Sequence, residues 1–319
     1  MMKIVVAGHD LKFIQFFIEY LSKKTDVELK IDQWKGHVDH DIEYSYDLLD
    51  WADVIFCEWG LGNIQFYSNN KRKHQKLVVR LHRQELETSY LNNSNINNID
   101  QFILISPYIY DEFSRKFDLP RNKMKLIYNA VDLEKFNNCN NPDRKYKLGM
   151  VGYLPKLKRM DLALDIFEKL YQVDNRYTLT FKGKKPEELK WLMKRDAERV
   201  YYEQQYKRID EAEWKDNVHF EGFGDVVEFY NNIEFILSLS DIESFHLAVA
   251  EGLACGAIPI IHNWEGSDTI YNEEYNIDDL DNIISHVNKL RKSYSYNKDE
   301  VSKFNKDKIC NQIYETINN

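Results

Sequence analysis

Strand-length apolar runs that alternate with helix-length amphipathic stretches, twice over in one chain, leave few folds open. In the first series Lys3–Ala7 (KIVVA), Val27–Ile31, Asp53–Cys57 (DVIFC), Lys76–Leu81 (KLVVRL) and Gln101–Ile105 (QFILI) read as strands. Helical spacing links Leu11, Ile14, Phe17, Ile18 and Leu21, and Pro107–Phe117 opens with Pro in a first-turn position. Strands separated by helices imply a parallel sheet covered on both faces.

The pattern then restarts. Leu148–Val151, Tyr177–Phe181, Val218–Glu221, Phe235–Ser238 and Ala257–Ile261 are the strands of the second series. Helices are expected from Lys158 to Tyr171, over Glu187–Ile209, and at the end of the chain over Ile277–Lys292 and Lys298–Ile317. The polar, turn-rich stretch Asn137–Lys145 (NNCNNPDRK) separates the series and reads as a linker. The expectation is α/β: two Rossmann-like domains, 1–140 and 146–300, facing each other across a cleft. Residues 301–319 would form a C-terminal helix able to pack back on the first domain. Ligands would bind at the carboxyl ends of the strands.

Composition narrows the partners. Residues 1–150 carry 21 basic and 21 acidic side chains, and residues 151–319 carry 22 and 31, so the second half holds the whole net charge of −9. With no strongly basic domain, nucleic acid is excluded as a partner. Residues 51–150 carry 15 basic and 11 acidic side chains, a mildly basic face. Lys71, Arg72, Lys73 and Lys76 on it are either a solvated loop or a weak, salt-sensitive contact with an anionic membrane. No apolar run approaches the roughly 20 residues that span a bilayer, and the N-terminal apolar run is too short for a signal peptide. Cys57, Cys139, Cys255 and Cys310 lack metal-ligand spacing and suit a reducing compartment. The expected location is cytoplasmic, with membrane contact at most peripheral at the inner face.

The segment richest in chemistry is Ser238–Ile261 (SLSDIESFHLAVAEGLACGAIPII). A strand ends near Ser238, Glu243 lies in a short polar exit loop, and Glu251 follows eight positions later on a helix beginning near Phe245. Small residues along that helix, including Ala248 and Gly252, permit close backbone approach. A helix N-terminus with free N–H groups suits phosphate or sugar hydroxyls, and the carboxylates can accept from hydroxyls of a sugar and a ribose. Spacing alone also allows a plainer reading, in which Glu243 caps the helix and Glu251 is solvated.

This segment resembles the family 4 glycosyltransferases of the GT-B fold, which carry Glu-x7-Glu in the same strand–loop–helix setting. The resemblance implies that Glu243 contacts the hexose of a nucleoside-diphosphate sugar and Glu251 its ribose, with Ser244, Phe245 and His246 around the donor. Ser244 and His246 stand where the family usually has Gly, and their side chains would narrow the sugar pocket. Gly149–Leu164 (GMVGYLPKLKRMDLAL) resembles the family's phosphate loop. Lys158 falls on the phosphate-binding Lys, Tyr153 replaces the family Arg, and Arg159 or Lys156 would compensate. An ordinary solvated helix start is the alternative for these cations. Ile127–Phe136 (IYNAVDLEKF), Gln101–Tyr108 (QFILISPY) and Val218–Tyr230 (VHFEGFGDVVEFY) are weaker matches, the last placing Gly222 beside the nucleobase.

The first half should hold the acceptor, at Gly8 and His9 in the first loop, at Glu58 and Trp59 after the DVIFC strand, and at Arg83. A single Gly stands in that first loop, where the family commonly has a pair. His82, at the end of a buried strand where the family often has a cleft His, would touch donor sugar or acceptor hydroxyl; a satisfied structural His is the alternative. Asp39-His40-Asp41 looks like a metal motif but lies in a polar loop, so no metal and no other cofactor is expected. The resemblance implies a retaining hexosyltransferase using a UDP-linked donor. The acceptor would be a glycan, teichoic-acid or lipid-linked hydroxyl in bacterial surface-polysaccharide assembly. A nucleotide-sugar epimerase and a non-catalytic glycan- or partner-binding protein of the same fold are the rival readings.

Overall fold

In the computed structural model, residues 1–139 and 141–318 are described. Asn140, within the stretch expected as a linker, and Asn319, the last residue of the expected C-terminal helix, lie outside them. The chain divides into two compact units, Met1–Ala130 with Lys303–Asn319, and Val131–Ser302. The division between Ala130 and Val131 comes before the polar stretch rather than within it.

The first unit holds six parallel strands: β1 (Met2–Gly8), β2 (Val27–Gln33), β3 (Val54–Glu58), β4 (Lys76–Leu81), β5 (Gln101–Leu104) and β6 (Met124–Leu126), in the order β2-β1-β3-β4-β5-β6. Successive side chains point to opposite faces of a strand, and here both faces are buried. Val5, Ile55, Leu77 and Val79 pack on one face with Leu48, Ile64, Ile109 and Phe113 from helices. Ile4, Val6, Phe56, Val78 and Ile103 pack on the other with Leu11, Ile14, Phe17 and Leu21. The C-terminal helix Lys306–Asn318 joins this second layer through Ile309, Ile313 and Ile317. Burying each of these isoleucines contributes roughly 1.5–3 kcal/mol.

The second unit holds five parallel strands: β7 (Lys147–Val151), β8 (Thr178–Lys182), β9 (Val218–Glu221), β10 (Phe235–Ser238) and β11 (Ile258–Ile261), in the order β11-β10-β7-β8-β9. The helix Met160–Val173 crosses over from β7 to β8 and buries Met160, Ala163, Leu164, Phe167 and Leu170, spaced three and four apart. Each sheet reverses its strand order once, between β1 and β3 and between β10 and β7. The carboxyl ends at such a reversal are where ligands of open α/β sheets bind.

Three helical expectations are corrected. The run Glu187–Ile209 is broken: Lys190–Met193 is a short helix, Arg195 is extended, and a new helix spans Asp196–Glu211. Asp196 and Glu198 in its first turn suit the positive end of the helix dipole. The run Lys298–Ile317 is interrupted as well, into Lys298–Ser302 and Lys306–Asn318. Asn305 caps the second piece by accepting from the Lys308 amide at 3.0 Å. The helix expected from Ile277 begins at Ile283, after a capped turn in which Asp279 accepts from the Asp281 amide.

Candidate functional site

In the second unit, the loops leaving β7 and β10 flank the reversal and are laced together. The Asp241 amide donates to the Leu157 carbonyl at 2.9 Å. Arg159 donates to Asp161 at 3.0 Å and to Asp241 at 2.8 Å. These pairs hold Arg159 in a left-handed conformation (φ 62°, ψ 56°), which is unfavourable for a residue with a Cβ. The next residue back, Lys158, is thereby brought to Glu243, and its Nζ donates to Oε1. Ser240 Oγ donates to the same oxygen at 2.7 Å.

Glu243 is only 11% exposed at its side chain. Burial opposes its charge, but Lys158 and Ser240, joined by His246 once that ring is protonated in acid, outweigh it, and the carboxyl titrates below its ordinary value. Burial also pushes His246 down to about 4, so at neutral pH the imidazole is uncharged and Lys158 is the cation that remains. Glu251 lies in the helix Leu247–Ala254 and accepts from the Tyr230 hydroxyl at 2.9 Å. Burial pushes its carboxyl up to about 7, so it is half ionised near neutrality. The two carboxylates eight residues apart therefore differ: one is held charged and paired below its ordinary titration range, the other is poised to titrate near neutrality. No side chain caps the helix N-terminus, and of its first amides that of Val249 donates to the His246 carbonyl at 2.9 Å.

Other expected donor residues are placed differently. Tyr153 is 1% exposed, with its ring against Phe181 and Phe220 at centroid distances of 5.2 and 5.9 Å. Its side chain belongs to the core, because the position follows β7, and β8 beside it and β9 beyond that supply the aromatic partners. Phe245 is likewise buried, and its carbonyl accepts from the Tyr271 hydroxyl at 2.8 Å. Both residues can offer a ligand only backbone. Ser244 is half-buried and Gly222 exposed.

A feature missed in the sequence lies beside them. Gly152, Gly183 and Gly222 follow the last residues of β7, β8 and β9, which are in register as Val151, Lys182 and Glu221. Gly152 (φ +72°) and Gly183 (φ +142°) adopt conformations that favour glycine, and a Cβ on Gly152 or Gly222 would meet nothing within 4 Å. Three adjacent strands thus end in bare backbone. The signal was present as a Gly directly after each apolar run. A separate cavity of about 540 Å³ is lined by Lys147, Thr178, Thr180, His219 and Phe229. It runs along one face of the sheet, from Lys147 and Thr178 at the amino ends of β7 and β8 to Lys182 and Glu221 at the carboxyl ends of β8 and β9, and neither Lys158 nor Glu243 borders it.

In the first unit, β3 and β4 end in a buried polar cluster. Glu58 and Arg80 are paired in strand register and both fully buried. Arg80 Nη1 donates to Glu58 Oε1 at 2.6 Å, and Arg80 Nη2 donates to Asn129 Oδ1. His82 Nε2 lies 2.9 Å from the same Glu58 oxygen. Burial lowers the pKa of His82 despite that carboxylate. The neutral ring therefore donates through Nε2–H and keeps a lone pair on Nδ1. Trp59, in a left-handed conformation (φ 64°), stacks on His82 at 4.0 Å and donates from Nε1 to the Asp10 carbonyl at 2.9 Å. His9 packs against His37 and Trp59, at 4.8 and 6.2 Å.

The expectation for Glu58 is corrected by this placement. It is not an acceptor wall: it is sealed beneath the surface, where it neutralises Arg80 and orients His82. Gly8 fits where no other residue would, since a Cβ there would stand 2.7 Å from the Glu58 carbonyl oxygen. Arg83 is partly exposed and pairs with Glu87 at 2.9 Å. The sequence did not single out Glu85, which accepts from the amides of Gly60 at 2.8 Å and His82 at 3.1 Å. Burial pushes its carboxyl up to about 8.

The expected basic membrane face also changes. Lys71 is nearly buried and donates to Asp100 at 2.5 Å, and Lys76 donates to the Thr316 carbonyl at 2.7 Å. Arg72 pairs with Asp50 at 2.6 Å. Lys71 and Lys76 thus serve the fold, and Arg72 is engaged in an exposed ion pair. Among the described residues no helix is long and apolar enough to cross a membrane, and no cluster of His, Cys, Asp and Glu has the arrangement of a metal site. His40, from the Asp39-His40-Asp41 stretch, stacks on Trp34 at 3.7 Å.

Known proteins resemble this chain in family and in fold. Residues 132–297 match the family model described as glycosyl transferases group 1. No curated protein matches by sequence. Among solved structures, the Anabaena protein HepE in complex with UDP-glucose is similar over 100% of both chains, with a TM-score of 0.75 and 16% identity. Sucrose-phosphate synthase from Thermosynechococcus elongatus is similar over 99% of this chain and 98% of its own, with a TM-score of 0.71 and 14% identity. The pneumococcal O-GlcNAc transferase GtfA, solved with UDP and GlcNAc, covers 83% of this chain with 56% of its own, at a TM-score of 0.60 and 17% identity. These likenesses establish the fold as GT-B.

Proposed function

Because the chain belongs to the group 1 glycosyl transferases, we propose that it is a family 4 enzyme that moves a hexosyl unit from a UDP-linked sugar to a hydroxyl of a glycan, teichoic-acid or lipid-linked acceptor, with retention at the anomeric carbon. The reading places it in bacterial surface-polysaccharide assembly. The observation that carries the proposal is the constellation at the reversal of the second sheet: Lys158 joined to Glu243, with Glu251 eight residues on in a helix whose N-terminus has no side-chain cap. HepE crystallised with UDP-glucose, and GtfA with UDP and GlcNAc, which supports a UDP-sugar as donor.

In this reading Glu243 accepts from hexose hydroxyls, Glu251 accepts from the ribose, and the helix amides with Lys158 receive the diphosphate. The bond between the anomeric carbon and the phosphate oxygen breaks, and its electron pair leaves with the phosphate. The acceptor oxygen bonds to the same carbon from the same face, and its proton passes to the departing phosphate oxygen. The protein positions both partners and stabilises developing charge, Lys158 at the leaving group. The first unit supplies the acceptor site, with His9 and Trp59 as its aromatic wall, Arg83 at its edge, and His82 held by Glu58. No metal or cofactor enters the reaction.

Donor-saturation kinetics beside UDP calorimetry test the assignment. Glu243→Gln should lower turnover strongly with only a modest change in UDP affinity, since its contact strengthens as the anomeric carbon gains positive character. Glu251→Gln should weaken UDP and UDP-sugar alike. Stability changes of roughly 0.5 kcal/mol with unaltered kinetics in both variants would remove the site from the reaction. An inverted product, read by the anomeric coupling in its proton spectrum, would remove the retaining mechanism.

A further inference from the structure

His246 occupies a place where its side chain is unfavourable. It precedes the helix Leu247–Ala254 in a left-handed conformation (φ 53°, ψ 74°) that glycine adopts without strain. The Tyr271 hydroxyl holds this turn by donating to the carbonyls of Phe245 at 2.8 Å and His246 at 3.2 Å. A strained backbone kept at a site points to a use for the side chain it carries.

The protonation of that side chain can be read from its partners. Trp264 Nε1 lies 2.9 Å from Ser238 Oγ, and Ser238 Oγ lies 2.5 Å from His246 Nδ1. An indole can only donate, so Ser238 accepts from Trp264. Ser238 is fully buried, and its own proton needs an acceptor, which the imidazole Nδ1 provides. The chain therefore runs Trp264 to Ser238 to His246, and it leaves the imidazole hydrogen on Nε2. Among the described residues Nε2–H has no protein partner, yet it is not one of the buried polar atoms left unsatisfied. The side chain is 7% exposed, and this nitrogen keeps some access to solvent.

Its neighbour decides what it can meet there. Glu243 Oε1 is 3.9 Å from His246 Nδ1, with Nε2 beyond it in the same ring, and a carboxylate only accepts. A phosphate oxygen beside Glu243 would be repelled. A hydroxyl can donate to Glu243 and accept from Nε2–H at the same time. Resting on the glycosyl-transfer reading, we propose that His246 is a specificity residue of the donor site, whose Nε2–H, locked by the Trp264–Ser238 relay, donates to the hexose hydroxyl that itself donates to Glu243. A hexose epimer that turns this hydroxyl away would leave both groups unpaired, so the relay selects donor sugars by the orientation of one hydroxyl.

Calorimetry with UDP, UDP-glucose, UDP-galactose and UDP-N-acetylglucosamine tests this on the intact chain. His246→Gly relieves the strained backbone and removes the ring. It should leave UDP affinity unchanged, weaken the sugar nucleotide that the unaltered protein prefers by about three- to tenfold, and flatten the preference among the three. Equal losses for UDP and UDP-sugars, or an unchanged preference, would overturn the proposal while leaving glycosyl transfer standing. An unaltered protein that bound neither UDP nor any of the three would overturn both. Long-range 1H–15N spectra of histidine-labelled protein give a readout that needs no ligand, with His246 signals identified by their loss in His246→Gly. The Nε2–H tautomer is expected, giving way to a mixture in Ser238→Ala. An Nδ1–H tautomer in the unaltered protein would refute the relay.

Discussion

Glu251 offers the most direct test of the donor site, because its ionisation and its proposed task are coupled. Burial pushes the carboxyl up to about 7, and the hydrogen bond from Tyr230 and the nearby Lys135 only partly counter it. A ribose presents two hydroxyl donors, and the ionised carboxylate is the form that accepts both. Apparent affinity then scales with the ionised fraction. With a pKa of about 7, that fraction is about nine tenths at pH 8 and about one tenth at pH 6, so donor affinity should fall nearly tenfold between them. UDP-glucose is the better ligand for the assay, since free UDP has a terminal phosphate that itself titrates near pH 6. His246 does not interfere, since burial holds it at about 4. Glu251→Gln keeps the shape and removes the titration: its affinity should be weaker at pH 8 by about ten- to a hundredfold, the loss of one charge-assisted contact, and flat in pH. Calorimetry at pH 6, 7 and 8 for both proteins decides it. Parallel pH slopes would show that the dependence comes from elsewhere and that the carboxylate does not meet the ligand.

Lys158→Ala should lower turnover and UDP affinity by at least tenfold through loss of a charge-assisted contact of ~1.5–3 kcal/mol; normal turnover with unchanged calorimetry would refute its role. Glu85, raised to about 8 in the folded chain against an ordinary 4.5, holds a proton that the unfolded chain releases, so its contribution to stability is full below pH 4.5 and is lost as pH rises to 8. That loss is at most ~5 kcal/mol at 1.36 kcal/mol per unit, and Glu85→Gln should gain stability over the parent in urea at pH 8.5 but not at pH 4.5; equal differences at both would exclude a buried protonated acid. Gly8→Ala forces a Cβ to 2.7 Å from a backbone oxygen and should cost about 1–3 kcal/mol, read as a fall in melting temperature, whereas an unchanged melt would mean that β1 and β3 can part without penalty.

Most strands were legible because their apolar runs match buried parallel strands, and ten of the eleven observed coincide with expected ones. The exception, β6, is a three-residue strand that pairs with β5 alone. The Glu-x7-Glu segment was legible because strand, loop, small-residue helix and following strand are contiguous in sequence. What escaped depends on contacts between distant segments. Glu58 looked like a polar residue at a strand exit, and only the β3–β4 register sets it against Arg80. Tyr153 occupies the position of a family Arg, yet Phe181 from β8 and Phe220 from β9 absorb its ring. Lys71 and Lys76 read as a basic surface until Asp100 and the C-terminal helix supply their partners. The tautomer of His246 depends on Trp264, eighteen residues away and past the next strand. Local periodicity reports which face of an element is buried. It does not report which polar groups find each other there.

The charge arrangement of the second unit bears on how a dianion could enter it. This half of the chain holds the whole net charge of −9, and the cations at its strand ends are already paired: Lys158 with Glu243, Arg159 with Asp161 and Asp241, Lys182 with Glu221 at 3.2 Å. A free diphosphate therefore meets no unpaired cation among these three and must compete with carboxylates for each. A sugar nucleotide is different, because its hexose hydroxyls can satisfy Glu243 and so release Lys158 toward the phosphates. The Lys158–Glu243 pair then favours the complete donor over its parts, since sugar and phosphate each stabilise one half of a pair that must separate for either to bind. If this is how the site discriminates, breaking the pair from the carboxylate side should raise the relative affinity for free UDP. Glu243→Gln frees Lys158 without removing it, and the ratio of UDP to UDP-sugar affinity should shift toward UDP. A constant ratio would mean that the pair in the ligand-free protein persists in the complex and takes no part in selection.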